Sequence, residues 1–137
     1  MDYPEISIRK YSNEFYDEWN KIIISSKNSS LLHLRSFIEY HKDKFKDHSC
    51  IIYKKNKPLY LFPASEHGDE IRSHGGLTFG GLIMPFSAKS LEVISVIDSL
   101  FCYYRALRFK SIIYKPTPYI YQKVPSEEDI FAINQLN

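Results

Sequence analysis

The sequence predicts an α+β domain in which a mixed, mostly antiparallel central sheet is flanked by helices. Three observations carry this expectation. Between Ser49 and His74, short apolar runs alternate with turn residues at hairpin spacing. On either side of that block, apolar residues recur at intervals of three and four, the period of a helix with one buried face. Finally, the stretch Ser73 to Met84, S-H-G-G-L-T-F-G-G-L-I-M, places four of the five glycines as two pairs inside what otherwise reads as buried strand.

Those pairs, Gly75-Gly76 and Gly80-Gly81, make this stretch the centre of the chain. A glycine in a strand costs backbone entropy and contributes no packing, so a pair marks a bulge, a turn, or a close approach by another backbone or a ligand. The residues alone leave two readings open, a ligand approach and a bent hairpin without one.

Taken in order, Glu5 to Lys10 alternates apolar and polar, as a half-buried strand does. Ser12 or Asn13 caps a helix over residues 13 to 26, with Phe15, Trp19, Ile22 and Ile23 on its core side. The polar run from Ser25 to Ser30 ends it. A second helix spans Leu34 to Asp43, with Leu34, Phe37, Ile38 and His41 on one face and His33, Arg35, Glu39 and His41 as its polar members. Cys50 to Tyr53 and Leu59 to Phe62 form a hairpin around a turn at Lys54 to Pro58. Pro63 lacks an N–H, so the ladder stops there. His67-Gly68-Asp69 turns the chain into a strand from Glu70 to His74. Pro85 closes the sheet region, Ser87 caps a long helix to Leu107, and Phe86 packs on Leu91. That helix turns Leu91, Ile94, Ile97, Phe101, Tyr104 and Leu107 inward. A strand from Ser111 to Tyr114 leads into Pro116-Thr117-Pro118, whose prolines hold the chain extended. Ser126-Glu127-Glu128-Asp129 starts a last helix, its acidic first turn suited to the helix dipole.

Composition narrows the function classes. The 137 residues fit one domain, residues 1 to 137, and 44% hydrophobic with 25% charged residues excludes a disordered or fibrous chain. A net charge of +2 argues against nucleic acid as a partner, which needs a concentrated basic face. Two distant cysteines, Cys50 and Cys102, and an acidic, polar start imply a soluble, cytoplasmic protein without a transmembrane segment. The five histidines match no metal-ligand spacing, so no metal is expected.

Five segments in one order carry a more specific likeness. L-L-H-L-R-S-F-I-E-Y-H (31 to 41), L-F-P-A (61 to 64), S-H-G-G-L-T-F-G-G-L-I (73 to 83), Y-K-P-T-P-Y-I-Y (114 to 121) and P-S-E-E-D-I-F-A (125 to 132) together resemble the N-terminal half of bacterial GNAT-like proteins related to the Fem peptidoglycan aminoacyltransferases. The resemblance spans nearly the whole chain. It implies a GNAT-like (acyl-CoA N-acyltransferase) fold, incomplete at the C-terminus. It also implies transfer of an acyl or aminoacyl group to an amine or hydroxyl of a cell-envelope precursor or sugar, with acetyl-CoA or another acyl donor. Relatives of this kind have two GNAT-like halves, so a homodimer or a second GNAT-like half is the partner it implies.

GNAT enzymes hold the coenzyme A pyrophosphate on successive amides in a glycine-containing loop at a helix start. Here that position reads Met84-Pro85-Phe86-Ser87-Ala88-Lys89, without glycines and with one donor removed by proline. The candidate site is therefore placed where His74, the glycine pairs, Thr78, Lys115 and Tyr121 converge. His74 serves either as a general base or as a hydrogen-bonded imidazole at a strand end. Lys115 holds a phosphate or carboxylate, or else ends a strand in solvent. Tyr121, a second catalytic candidate, and Tyr119 donate to a sugar or acyl oxygen, or pack under the last helix. Gly75, Gly76, Thr78, Gly80, Gly81 and Arg35 complete the substrate-binding set, Arg35 with Glu39 forming either part of the mouth or a surface ion pair. Two functions stay open, the transferase and a non-catalytic ligand-binding or assembly module derived from one.

Overall fold

A computed structural model describes residues 5–40, 43–75, 77 and 79–136 of the chain. Strand β3, Cys50–Lys54, sits in the middle of one sheet, and its residues serve two cores in alternation. Cys50 and Ile52 join a cluster with Tyr60, Phe62, Leu82 and Met84, whereas Ile51 and Tyr53 join one with Trp19, Ile23, Ile38 and Ile83. A strand covered on both faces has no polar face to spare. That accounts for its unbroken apolar run in the sequence.

β1, Ile6–Lys10, and β4, Lys57–Phe62, pair antiparallel with β3 on either side. Lys55 and Asn56 both take positive φ, as a two-residue hairpin turn demands. Pro63 ends pairing with β3 as expected, yet the chain runs on as β5, Ala64–His67, in a second sheet. That sheet has the order β2, Lys46–Asp47, then β5, β6 (Glu70–Ser73) and β7 (Ser111–Ile113). The β6–β7 pair is parallel, its long crossover made by helix α3, Ser90–Ala106. Beyond β6 the glycine-paired stretch runs beside β4, where Leu61 and Ile83 exchange backbone hydrogen bonds.

Helices cover both faces. α1, Tyr16–Ser25, follows a 3-10 turn at Asn13–Phe15 and buries Trp19 and Ile23. α2, Arg35–Glu39, follows a second such turn at Leu31–His33. It is shorter than the periodicity implies, and His41 lies outside the described residues. α3 and α4, Glu128–Leu136, pack together over the other core.

Two expectations for α3 are corrected. The helix starts at Ser90 with Lys89 at its N-cap, so Ser87 does not cap it, and Phe86 and Leu91 are 58% and 61% exposed. The buried stripe is Val93, Val96, Ile97, Leu100 and Tyr104, with Leu107 outside it. The helix is apolar over more than half its circumference, so two stripes fit the period equally. Only the sheet beneath selects between them. No helix among the described residues is long and apolar enough to cross a membrane.

Candidate functional site

Parallel pairing of β6 with β7 brings the glycine stretch against the segment after β7, as the sequence anticipates. The approach is made by the chain itself. Lys115 donates its backbone N–H to the Ser73 hydroxyl, and its carbonyl accepts from Gly80 at 2.9 Å. Its ammonium reaches the carbonyls of His74 and Leu77 at 3.2 and 2.7 Å, stapling the turn between them. Burial, with the charge of Arg72 adding to it, lowers the Lys115 pKa.

Each described glycine of the pairs stands where a side chain would collide. A Cβ at Gly80 would lie 3.1 Å from Ser73 Cβ, and one at Gly75 would lie 2.8 Å from the Phe45 ring. Gly81 has φ +54° and a Cβ there would meet Pro116 Cα at 3.2 Å. Gly81→Ala should therefore cost about 2 kcal/mol, against about 1 for Gly68→Ala, where φ is also positive but space is open. Urea denaturation of the two variants checks the difference, and equal costs would remove close packing as the reason for Gly81. Gly76 and Thr78 lie outside the described residues.

Beside Gly81, Tyr114 fills the space between the two segments. Its ring stacks on Phe62, its hydroxyl accepts from Leu82 N–H, and it donates to the Asp129 carboxylate. Burial raises the pKa of both Tyr114 and Asp129. Tyr121 stacks on Phe79 with ring centroids 5.5 Å apart, and both it and Tyr119 stand mostly exposed.

His74 faces away from this seam. Its ring is buried, with Nε2 3.5 Å from Asp47 Oδ1 and Phe45 alongside. Asp47 also meets Arg35 Nη2 at 3.4 Å and accepts from the Ser49 hydroxyl at 2.7 Å, and Arg35 reaches Glu39 Oε1 at 3.4 Å. Burial alone would raise the Asp47 pKa, but the His74 hydrogen bond, the Arg35 charge and Ser49 together hold it below the usual carboxylate value. The structure thus joins His74 and Arg35 through Asp47, a residue the sequence reading missed. Asp47 sits in a lysine-flanked run with nothing in its spacing to separate it from Asp43.

Arg35 is 2% exposed rather than solvated, its guanidinium carbon 3.6 Å from the centroid of the Tyr11 ring and 5.0 Å from that of Trp19. It forms the floor of a cleft of about 680 Å³ lined by Tyr11, Ser12, Asn13, Tyr16, Glu39 and Asp47. His33, read as a polar member of the second helix, is fully buried in the 3-10 turn before it and bonds Ser30 N–H and the Phe79 carbonyl.

Two amides of the turn leading into α3 are taken and one is missing. Met84 N–H bonds Asn28, Pro85 has none, and Ala88 N–H bonds the Pro85 carbonyl. Glu92, in the first helical turn, takes Lys54 and Tyr60 as partners. Among the described residues no group of three or more His, Cys, Asp or Glu side chains could hold a metal ion.

No protein-family model and no curated protein matches the chain. Solved structures do. A GNAT family acetyltransferase from Staphylococcus aureus subsp. aureus USA300_TCH1516 superposes with a TM-score of 0.54 at 13% identity, covering 83% of this chain and 88% of that one. A transcriptional regulator from Bacillus halodurans C-125 gives 0.53 at 10% identity, covering 97% and 92%. With its mixed sheet between two helical layers, the chain has the GNAT-like fold of the acyl-CoA N-acyltransferases.

Proposed function

We propose that this domain is the acceptor-holding unit of a GNAT/Fem-like acyltransferase, which moves an acyl or aminoacyl group to an amine or hydroxyl of a cell-envelope precursor or sugar. The donor, acetyl-CoA or another acyl donor, is held by a second GNAT-like unit, either a second copy or a separate partner. One observation supports this division most directly: the turn before α3 has no glycine, its Met84 and Ala88 amides are spent on Asn28 and Pro85, and Pro85 has none to offer a pyrophosphate. Meanwhile the cleft over Arg35, Glu39 and Asp47 stays open. Asp47 and Arg35 face the acceptor, and His74 positions Asp47. Tyr119 and Tyr121, exposed beside the seam, are offered to the partner unit. A cytoplasmic setting fits the two free thiols, Cys50 and Cys102.

A second reading, a non-catalytic ligand-binding or assembly module derived from such a transferase, is favoured by the same occupied amides. Thermal-shift titration of the purified chain with acetyl-CoA, run beside light scattering, tests the proposal. The expected result is no shift, together with a dimer mass or a mass that grows when the partner unit is added, and acyl transfer only in the assembly. Ligand that binds the folded state alone raises stability by about 4 kcal/mol at a thousandfold excess over Kd, so a saturable shift of the single chain would sink the division of labour. An assembly without any transfer would leave the binding module.

A further inference from the structure

The cleft over Arg35 is lined by donors and acceptors in close alternation. Arg35 presents N–H groups, Glu39 and Asp47 present carboxylate oxygens, Asn13 and Ser12 present both kinds, and Tyr16 adds a ring 38% exposed. The guanidinium is only loosely paired. Arg35 meets both carboxylates at 3.4 Å, whereas a tight charge-assisted bond is about 2.7–2.9 Å, and its Nη1 is buried with no hydrogen-bond partner among the described residues. Stacking on Tyr11 beside Trp19 fixes the guanidinium, so little ordering remains to be done when a ligand enters.

We propose that this cleft binds a vicinal diol of a hexopyranose sugar. One hydroxyl oxygen accepts from the guanidinium while its O–H donates a hydrogen bond to Glu39 or Asp47. The neighbouring hydroxyl repeats the pattern, and the apolar C–H face of the ring lies on Tyr16. A phosphate fits poorly, because two carboxylates repel it and only one guanidinium attracts it. A simple amine pairs with the carboxylates but leaves the Arg35 donors unused. A neutral polyol satisfies both kinds of group at once. This deepens the acceptor-side proposal and rests on it for its place in a reaction, whereas binding itself requires no transfer.

Trp19 is the only tryptophan, and its ring centroid lies 5.0 Å from the Arg35 guanidinium carbon, so its fluorescence reports on the cleft. The full chain is titrated with methyl α-glucopyranoside, methyl α-galactopyranoside and N-acetylglucosamine, with butylamine and inorganic phosphate as contrasts. The expected result is a saturable change in Trp19 emission with at least one sugar and none with butylamine or phosphate. Glu39→Ala should weaken that sugar about tenfold, the worth of one hydrogen bond to a charged group, while Glu39→Gln, which keeps an acceptor oxygen, recovers part of the loss. Thermal unfolding of each variant shows that it is folded. Silence with every sugar up to its solubility, or a response to butylamine or phosphate instead, overturns the proposal. Sugar binding without acyl transfer in the assembly would sink the transferase reading alone, and transfer to an amine with the sugars silent would sink this one alone.

Discussion

Between pH 8 and pH 4.5 the fold is expected to lose about 2.5 kcal/mol of stability through His33 alone. The imidazole is fully buried, and burial brings its pKa from 6.5 down to about 4, the Phe79 carbonyl offsetting part of that. Its hydrogen bonds fix the neutral tautomer: Nδ1 accepts from Ser30 N–H, leaving Nε2 to donate to Phe79. A proton on Nδ1 would break the first of these. Below pH 6.5 the unfolded chain binds that proton and the native chain does not until about 4, so the unfolded state gains protons first and stability falls as pH falls. The contribution is complete above pH 6.5 and is lost through the interval beneath it. His48, also lowered chiefly by burial, works in the same direction. Urea denaturation at a series of pH values should therefore show a steep acid limb for the native sequence and a flatter one for His33→Gln. Identical limbs would mean that His33 takes its proton without hindrance in the folded state.

Trp19→Ala is expected to cost about 4 kcal/mol, the usual penalty for emptying a large aromatic site in a core. The indole is fully buried between α1 and β3, meets the edge of Tyr11 at 5.4 Å between centroids, and donates Nε1–H to the His33 carbonyl at 2.8 Å. It thus ties the 3-10 turn carrying His33 to α1 and supports the Arg35 guanidinium from below. Circular dichroism in urea measures the loss, since the variant has no tryptophan to follow. A cost under about 2 kcal/mol would mean that the site collapses around the gap. The same variant should blunt sugar binding in the cleft, read by calorimetric titration, because the positioning of Arg35 depends on this wall.

These two residues share a neighbourhood with the proposed ligand cleft. The buried polar groups His33, Arg35 and His74 converge on one side of the sheet, where α1, α2 and β2 meet, and each is positioned by hydrogen bonds rather than by solvent. On the opposite face, α3 and α4 pack over an apolar core that Tyr104 and Tyr103 tie to His48 and its carbonyl and that the Tyr114–Asp129 pair closes.

The sequence by itself determined most of the elements and their order, though not β2 or β5. The run Cys50 to Tyr53, the alternation of Glu5 to Lys10 and the stripe around Trp19 state locally which side of each element is apolar, and the sheet and α1 follow from that. It also marked the glycine stretch and Lys115 as neighbours of one another. What it did not contain was partnership across distance. His74 meets Asp47 from 27 positions away, a separation no periodicity encodes. Lys27 finds Glu128 across 101 residues. Arg35 with Glu39 read as a surface pair because polar residues are usually solvated, and only the packing of Tyr11, Trp19 and Phe79 around Arg35 and His33 makes burial affordable by supplying carbonyls, carboxylates and ring faces. The two possible stripes of α3 were equal in period, and the sheet chose Val93, Val96, Leu100 and Tyr104. Local pattern fixes which face of an element is apolar, whereas the identity of what lies opposite, and with it the site, is set only when the faces meet.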